Sequence, residues 1–218
     1  MTKNKNNSVS PSRLKGKHAL AFALLAVAVV LAYKFTAGQS APEVLPTESL
    51  GSESNILQVI EYSDFKCPYC GKAAETVEQL RDEYDGRIEI VFKHFPLTFH
   101  AGSDRAAEAS ECARDQGLFW EYHDRLFEDY ANGRDIGEAD VLKSIAGELN
   151  LDADNFSRCL DSGAKKDVVK KNLAEGKRLG VSGTPTFFIK GKKIVGAQPY
   201  DVFADIIDGE LGEQNEQE

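Results

Sequence analysis

Glu61-Tyr62-Ser63-Asp64-Phe65-Lys66-Cys67-Pro68-Tyr69-Cys70 is the most informative segment of this 218-residue chain. It includes the end of a short apolar run, Ile56 to Tyr62, whose β-branched residues predict a strand buried on both faces. It leads into residues Pro68 to about Tyr84, where apolar side chains recur at helical spacing. The Cys-x-x-Cys motif therefore lies where a strand ends and a helix begins.

The position of Cys67 at the start of a helix favours ionisation of its thiol. Amides of the first helical turn lack partners within the helix and, together with the helix dipole, stabilise a thiolate over a thiol. Pro68 suits the first helical position because proline has no amide hydrogen to leave unpaired there. We therefore predict that Cys67 is the attacking sulfur, with a lowered pKa. The more buried Cys70, one turn further along, is predicted to be the resolving thiol.

The size of this pKa change determines the direction of electron transfer. A fall in the Cys67 pKa from about 8.5 to roughly 4.5 would stabilise the reduced form by about 3.4 kcal/mol at pH 7. For a two-electron couple, that raises the reduction potential by roughly 70 mV. Such a disulfide is given readily to other thiols, so the motif predicts an oxidant.

The segments after the motif predict an α/β fold with a helical insert. Asp85-Gly86 ends the first helix and residues Ile88 to Phe92 predict a second strand, so the domain begins with a strand–helix–strand unit and a parallel strand pair. A mainly helical insert follows at about residues 101–179. Strand-type sequence then returns at Thr186 to Ile189 and Lys193 to Val195, joined by Lys190-Gly191-Lys192, before a closing helix from Tyr200 to Ile207.

The amino-terminal region predicts export. Residues 1–18 are polar and basic, and residues 19–34 contain an apolar run that fits either a cleaved signal peptide or a single transmembrane anchor. In both cases the basic residues before the run predict that the rest of the chain crosses the membrane. Residues 35–55 are predicted to be a flexible linker, residues 56–211 the folded domain, and residues 212–218 a polar tail.

The charge of the chain is divided unevenly. The first 42 residues contain six basic and no acidic residues, so the remainder must have a net charge of −15 to give the total of −9. A domain this acidic has no electrostatic attraction to phosphate backbones, which argues against nucleic-acid binding.

The two remaining cysteines, Cys112 and Cys159, lie on different predicted helices of the insert. In an oxidising compartment we interpret them as a disulfide that closes a loop of about 47 residues. A second redox-active pair and two free buried thiols are the alternatives. Zinc would need these two isolated cysteines, or histidines, to complete its ligand set, so we expect no metal. We also expect no nucleotide or flavin cofactor, because the sequence has no glycine-rich phosphate loop.

Three motifs, in this order, resemble DsbA-type thiol:disulfide oxidoreductases, in which a helical domain interrupts a thioredoxin fold. They are residues 61–70, Lys93-His94-Phe95-Pro96-Leu97, and Gly180-Val181-Ser182-Gly183-Thr184-Pro185-Thr186-Phe187-Phe188. The resemblance extends from Ile56 to about Gly209, and the combination of Cys-Pro-Tyr-Cys with Gly-Thr-Pro-Thr is its most specific part. It implies a thioredoxin-like α/β fold with an inserted α-helical domain, preceded here by the N-terminal signal or anchor helix.

The resemblance also implies roles for individual residues. Pro185 would be a cis-proline opposite the active disulfide, with Thr184 presenting its backbone to the substrate chain and Pro68 and Tyr69 on the same substrate-binding surface. Glu61 would be a buried acid that handles the proton of the resolving thiol, with an exposed edge glutamate as the alternative. The resemblance leaves His94 open between a residue near the site and a structural histidine, and we interpret His100 and His123 as surface or packing residues.

These features predict an extracytoplasmic disulfide donor in the cell envelope of a prokaryote, anchored to the membrane or secreted. Its substrates would be reduced, unfolded client proteins, and the family implies a membrane-bound, quinone-linked partner that reoxidises it. Two alternatives stay open. One is a reductase or isomerase on the same fold, and the other is a non-catalytic binding module whose Cys-x-x-Cys is structural.

Overall fold

The computed structural model describes residues 56–215 of the chain. The predicted signal or anchor at residues 19–34, the segments on either side of it and the last three residues lie outside this range. Within it, no helix combines the length and the apolar composition needed to span a membrane. The elements are β1 (Leu57–Ser63), α1 (Pro68–Glu83), β2 (Ile88–His94), α2 (Ser103–Arg114), α3 (Phe119–Ala131), α4 (Ala139–Glu148), α5 (Ala153–Ser162), α6 (Lys166–Arg178), β3 (Thr186–Ile189), β4 (Lys192–Val195) and α7 (Tyr200–Asn215).

The strands form one mixed sheet in the order β2-β1-β3-β4. The predicted parallel pairing of β1 with β2 is confirmed, whereas β1 with β3 and β3 with β4 are antiparallel. Strand β1 is therefore central, and six of its seven residues are buried. Glu61 lies in its middle, between Phe92 on β2 and Phe187 on β3, so it is not an exposed edge residue.

Helices cover both faces of the sheet. On one face, α1 and α7 pack through an apolar cluster that includes Leu57, Val77, Leu80, Phe187 and Phe203. On the other face, Leu173 in the middle of α6 and Leu179 just after it pack against a second cluster that includes Tyr62, Phe95 and Phe188. The sheet is thus enclosed between helical layers, with the carboxyl end of β1 leading directly into the Cys-x-x-Cys segment.

The predicted helical insert consists of five helices, α2 to α6. The predicted apolar face of α3 is buried in a core that also takes in Leu142 and Ile145 of α4 and Phe156 and Leu160 of α5. Cys112 on α2 and Cys159 on α5 form a disulfide across this core, with their Cα atoms 5.9 Å apart. The same core includes Cys67 and Cys70, so the insert packs directly beneath the Cys-x-x-Cys motif.

Two element boundaries differ from the sequence predictions. Strand β4 begins at Lys192, because Lys190 and Gly191 alone form the hairpin turn, both with positive φ as a two-residue type I′ turn requires. Helix α7 continues to Asn215, well past the predicted end at Ile207 and into the segment predicted to be a polar tail. Ile206 and Leu211 pack against the cluster beneath β1. Glu210 forms an ion pair with Lys192, with an N–O distance of 2.8 Å.

Candidate active site

Cys67 lies at the junction between β1 and α1. It is the N-cap residue of α1, with extended backbone angles, and Pro68 occupies the first helical position. The Cys67 carbonyl accepts hydrogen bonds from the N–H groups of Cys70 and Gly71. The sulfur is therefore next to the positive end of the helix dipole, while only 5% of the residue is exposed.

These surroundings lower the pKa of the Cys67 thiol to about 5. The largest cause is a hydrogen bond from the Cys70 thiol. Burial of Cys67 acts in the opposite direction and raises the pKa. Smaller contributions that lower the pKa come from Thr184 and from the backbone N–H groups of Cys70 and Tyr69. The peptide amides emphasised by the sequence argument thus contribute less than the neighbouring thiol. A thiol with this pKa is roughly 99% ionised at pH 7.

The pKa of the Cys70 thiol is shifted in the opposite direction from that of Cys67. Cys70 is fully buried in the first turn of α1. Burial, followed by its hydrogen bond to Cys67 and the negative charges of Cys67 and Glu61, raises the pKa of the Cys70 thiol far above its usual range. Its Sγ also accepts a hydrogen bond from the Asp64 N–H at 3.5 Å. With both cysteines free, the site at neutral pH pairs a thiolate with a thiol.

A loop from the far end of the chain completes the site. The peptide bond between Thr184 and Pro185 is cis, and Pro185 is buried at the start of β3. The Thr184 carbonyl oxygen lies 3.4 Å from the Cys67 Sγ. The fold thus brings together the cysteine and the Gly-Thr-Pro-Thr segment, which are 117 residues apart in sequence.

Glu61 is a buried acid whose charge acts on Cys70. Only 1% of the residue is exposed, and its Oε2 has no hydrogen-bond partner among the described residues. Burial raises the pKa of Glu61 to about 7, so the carboxyl exchanges its proton near neutrality. Because the negative charge of Glu61 contributes to the raised pKa of Cys70, the protonation states of the two groups are linked.

Asp64 joins the loops that flank the cysteines, a role that the sequence analysis missed. Its carboxylate accepts hydrogen bonds from the N–H groups of Lys66 and Leu97 and pairs with the Nδ1 atom of His100, each at 2.8 Å. Its backbone carbonyl accepts from the Cys67 N–H at 3.0 Å. An aspartate that binds the N–H of the residue two positions later is a recognisable Asx-turn pattern, but the long-range partners of Asp64 depend on the fold.

His94 and His123 lie in the core below the cysteines. The His94 Nε2 atom is 2.8 Å from the Glu111 Oε1 atom, and the His94 ring is fully buried against Phe65 and Phe92. Burial lowers the pKa values of both histidines, so they are neutral at pH 7. His94 therefore has a structural partner, and the packing interpretation of His123 agrees with its burial. His100 differs from these two histidines in its role, because its contact with Asp64 supports the loop beside the cysteines.

The rim of the site is open to solvent. Pro68 and Tyr69 are exposed, Tyr69 by 67%, and Phe99 in the neighbouring loop is exposed by 75%. A partner chain approaching Cys67 can therefore reach aromatic surface beside the motif. Across residues 56–215 no group of three or more histidine, cysteine or acidic side chains has the arrangement of a metal site.

The family model described as thioredoxin matches residues 44–209 of the chain. Among curated proteins, it is 40% identical over 147 residues to the Na⁺/H⁺ antiporter NhaA 3 of Salinispora tropica, an alignment that covers 67% of this chain but only 22% of that protein. It is also 31% identical over 173 residues to the probable disulfide bond formation protein D of Bacillus anthracis, covering 75% of this chain and 78% of that protein.

The solved structure of alpha-DsbA1 from Wolbachia pipientis has a similar fold. It superposes with a TM-score of 0.65 at 23% identity, covering 75% of this chain and 89% of that one. The predicted thioredoxin-like α/β fold is thereby confirmed for the described domain.

Proposed function

This chain belongs to the thioredoxin family, among the DsbA-type thiol:disulfide oxidoreductases, and from this membership we propose that it oxidises pairs of cysteines in reduced, unfolded client proteins. The main support is the opposite displacement of two pKa values, since that of Cys67 is lowered to about 5 while that of Cys70 is raised. An ionised sulfur beside a protonated, fully buried one is the arrangement that disulfide exchange requires.

The lowered pKa favours donation of the disulfide. Only the reduced protein has an ionisable Cys67, so whatever stabilises the thiolate stabilises the reduced form. After a discount for solvent near the sulfur, a pKa of about 5 stabilises the reduced form by about 2 kcal/mol at pH 7. That corresponds to a reduction potential about 40 mV more oxidising than that of a pair with ordinary thiols.

The proposed reaction has two displacements. A client thiolate attacks the Cys67 Sγ of the disulfide, the bond between Cys67 and Cys70 breaks, and Cys70 leaves with the electron pair. A second client thiolate then attacks the client sulfur of the mixed disulfide and releases Cys67 as a thiolate. The client loses two electrons and its two thiol protons, and the Cys67–Cys70 pair gains the two electrons.

Glu61 supplies the proton for the first displacement in this proposal. The departing Cys70 sulfur is fully buried and has a raised pKa, so it takes up a proton as it leaves. With its own pKa raised to about 7, the Glu61 carboxyl can give that proton and recover it later from solvent. Exchange at Cys70 should therefore depend on pH near neutrality.

The cis-proline loop holds the client chain in this proposal. The Thr184 carbonyl lies beside Cys67, and Thr184 is only half-buried. Client backbone can pair there as an added strand, a mode that holds unfolded chains without reading their sequence. Pro68 and Tyr69, the two residues after Cys67 in the chain, provide exposed apolar surface for the same client.

Each turnover leaves two electrons in the cysteine pair, which must then be removed. We assign this step to a membrane-bound, quinone-linked oxidant and locate the domain outside the cytoplasm. The support for this location is the basic segment followed by the apolar run at residues 19–34. The same run supports either anchoring or secretion, and sequencing the amino terminus of the mature protein distinguishes the two.

A redox titration of the full chain against glutathione tests the direction of the reaction. We expect an equilibrium potential above about −200 mV, in the range of disulfide donors. A value near about −270 mV, typical of thioredoxin, would instead indicate a reductase.

Cysteine variants test whether the motif is chemically active. In cells, Cys70→Ser should accumulate mixed disulfides with clients, because the attacking sulfur remains and the resolving one is absent. Cys67→Ser is the matched control and should trap none. If neither variant forms covalent adducts, the domain is a binding module and the enzymatic proposal is wrong.

A further inference from the structure

A groove beside the active site has no role in the reaction described above. It lies between α1 and α3 and has a volume of about 740 Å³. Pro68 and Gly71 line it at the end next to Cys67, and Phe127 and Tyr130 of α3 contribute apolar surface. Cavities of about 300–1,000 Å³ hold molecules of drug size, so the groove can hold a short stretch of extended peptide.

The walls of this groove are acidic. Glu75 and Glu78 of α1 and Asp124 and Glu128 of α3 line it, with Lys72 as the one cationic side chain among the lining residues. Glu75 and Glu78 are exposed, and no cation among the described residues pairs with either.

The acids of α3 are only partly neutralised. The Asp124 carboxylate accepts a hydrogen bond from the buried His123. Its distance to the Arg81 guanidinium is 4.0 Å, and Glu128 is equally far from the guanidinium of Arg125. Both arginine contacts are therefore at the outer limit of an ion pair. Like charges three or four residues apart on a helix repel one another. A cation placed between the two helices would relieve this repulsion.

We propose that this groove binds the segment of a client next to its reacting cysteine and selects clients with lysine or arginine there. The inference rests on the proposed function, because the client must already be joined to Cys67. Aliphatic stems of these side chains can pack on Phe127 and Tyr130 while their charged ends reach the carboxylates.

Helix geometry gives the spacing of the preferred residues. Glu75 and Glu78 are eight and eleven residues beyond Cys67, or about 12 and 16 Å along α1. An extended peptide advances about 3.3 Å per residue. The preferred basic residues should therefore be four or five positions from the client cysteine that attacks Cys67.

The test uses the oxidised full-length protein and three matched dithiol peptides. They differ only at the fourth and fifth positions from the first cysteine, which are lysine, glutamine or glutamate. We expect the lysine peptide to be oxidised about tenfold faster than the glutamate peptide at low salt. The difference should largely disappear at about 1 M salt, where the Debye length is about 3 Å.

Reversing the charge of the groove tests whether the preference for basic peptides arises there. The double variant Glu75→Lys/Glu78→Lys should reverse the order of the lysine and glutamate peptides. The control Asp82→Lys/Asp205→Lys makes the same change in net charge at exposed sites outside the groove lining, and it should keep the wild-type preference.

The glutamine peptide separates this inference from the proposed function. If the wild-type protein does not oxidise that peptide, the oxidase function itself is wrong. If all three peptides react equally, or if the preference survives the groove reversal, the groove inference is overturned and the oxidase function stands. If the reversal changes only the oligomeric state, the groove binds a second copy of the chain, which also overturns it.

Discussion

At the residue scale, the buried carboxyl of Glu61 destabilises the folded protein when it is ionised. It lies between two phenylalanines of neighbouring strands, and one of its oxygens has no partner in the described domain. Burial raises the pKa of Glu61 from 4.5 to about 7, so the folded state binds this proton more tightly than the unfolded state does. The contribution of this proton to the free energy of unfolding is complete below about pH 4.5 and is lost as the pH rises through 7.

Replacing Glu61 by glutamine should remove this pH dependence. Between about pH 4.5 and pH 7, we expect the free energy of unfolding of Glu61→Gln to improve by about 3 kcal/mol relative to wild type. Urea unfolding of both proteins at the two pH values measures the change. If the difference between variant and wild type is the same at both values, Glu61 does not titrate as described.

The sequence was sufficient to locate both cysteines and to predict that Cys67 has the lowered pKa and Cys70 the more buried side chain, because helix-start chemistry is local. It could not rank the causes of the Cys67 pKa, since the strongest is a hydrogen bond from the Cys70 thiol, whose direction depends on side-chain packing. The contact between Asp64 and His100 was also inaccessible, because 36 residues and a loop conformation separate them.

At the element scale, α6 approaches the end of the sheet very closely at Gly176. A Cβ atom added there would lie 2.7 Å from a ring carbon of Phe95 and 2.8 Å from one of Tyr62. Gly147 on α4 is the opposite case, since a Cβ atom added there meets nothing within 4 Å. Because both glycines lie in helices, a comparison of alanine substitutions at the two positions separates the effect of packing from that of helix propensity.

We therefore expect alanine to have opposite effects at these two positions. Gly176→Ala should lower the free energy of unfolding by about 1–3 kcal/mol, because two buried rings must move. Gly147→Ala should raise it by about 0.5–1 kcal/mol through helix propensity. Denaturant unfolding measures both, and a stabilised Gly176→Ala protein would show that α6 is not packed this tightly.

The disulfide between α2 and α5 should contribute to stability rather than to exchange. It closes a separation of 47 residues, for which the chain-entropy model gives about 3–4 kcal/mol. The double variant Cys112→Ser/Cys159→Ser should unfold at a lower temperature, while the Cys67–Cys70 pair keeps its potential. A large shift of that potential in the variant would instead support a second redox-active pair.

Element types were predictable from local pattern, but some ends were not. The apolar runs of β1, β2 and β3 and the helical spacing in α1 and α3 are visible in the sequence. The extra turns of α7 depend on tertiary contacts, because Leu211 packs beneath the sheet and Glu210 pairs with Lys192 of β4. No periodicity within residues 208–215 indicates those partners.

At the scale of the whole molecule, the reduced and oxidised forms should differ in stability in a pH-dependent way. The pKa of Cys67 is lowered from 9.0 to about 5, so the stability it contributes is full above about pH 9 and is lost as the pH falls through 5. Only the reduced form has this contribution. The insert and the sheet share one core at the motif, so the effect should appear in global unfolding.

Unfolding of the two forms at pH 5 and pH 7 measures this linkage. The free energy of unfolding of the reduced form, relative to the oxidised form, should rise by about 2 kcal/mol between these values. Cys67→Ser under reducing conditions is the control and should lack the rise. A reduced form whose advantage is independent of pH would contradict the proposed stabilisation of the thiolate.

Ionisation of Cys67 is tested most directly by following the ultraviolet absorbance of the thiolate in the reduced full-length protein as a function of pH, with Cys67→Ser as the blank. The absorbance should rise with a midpoint near pH 5. A midpoint near about 8.5, the value of a free thiol, would remove the basis for a disulfide donor.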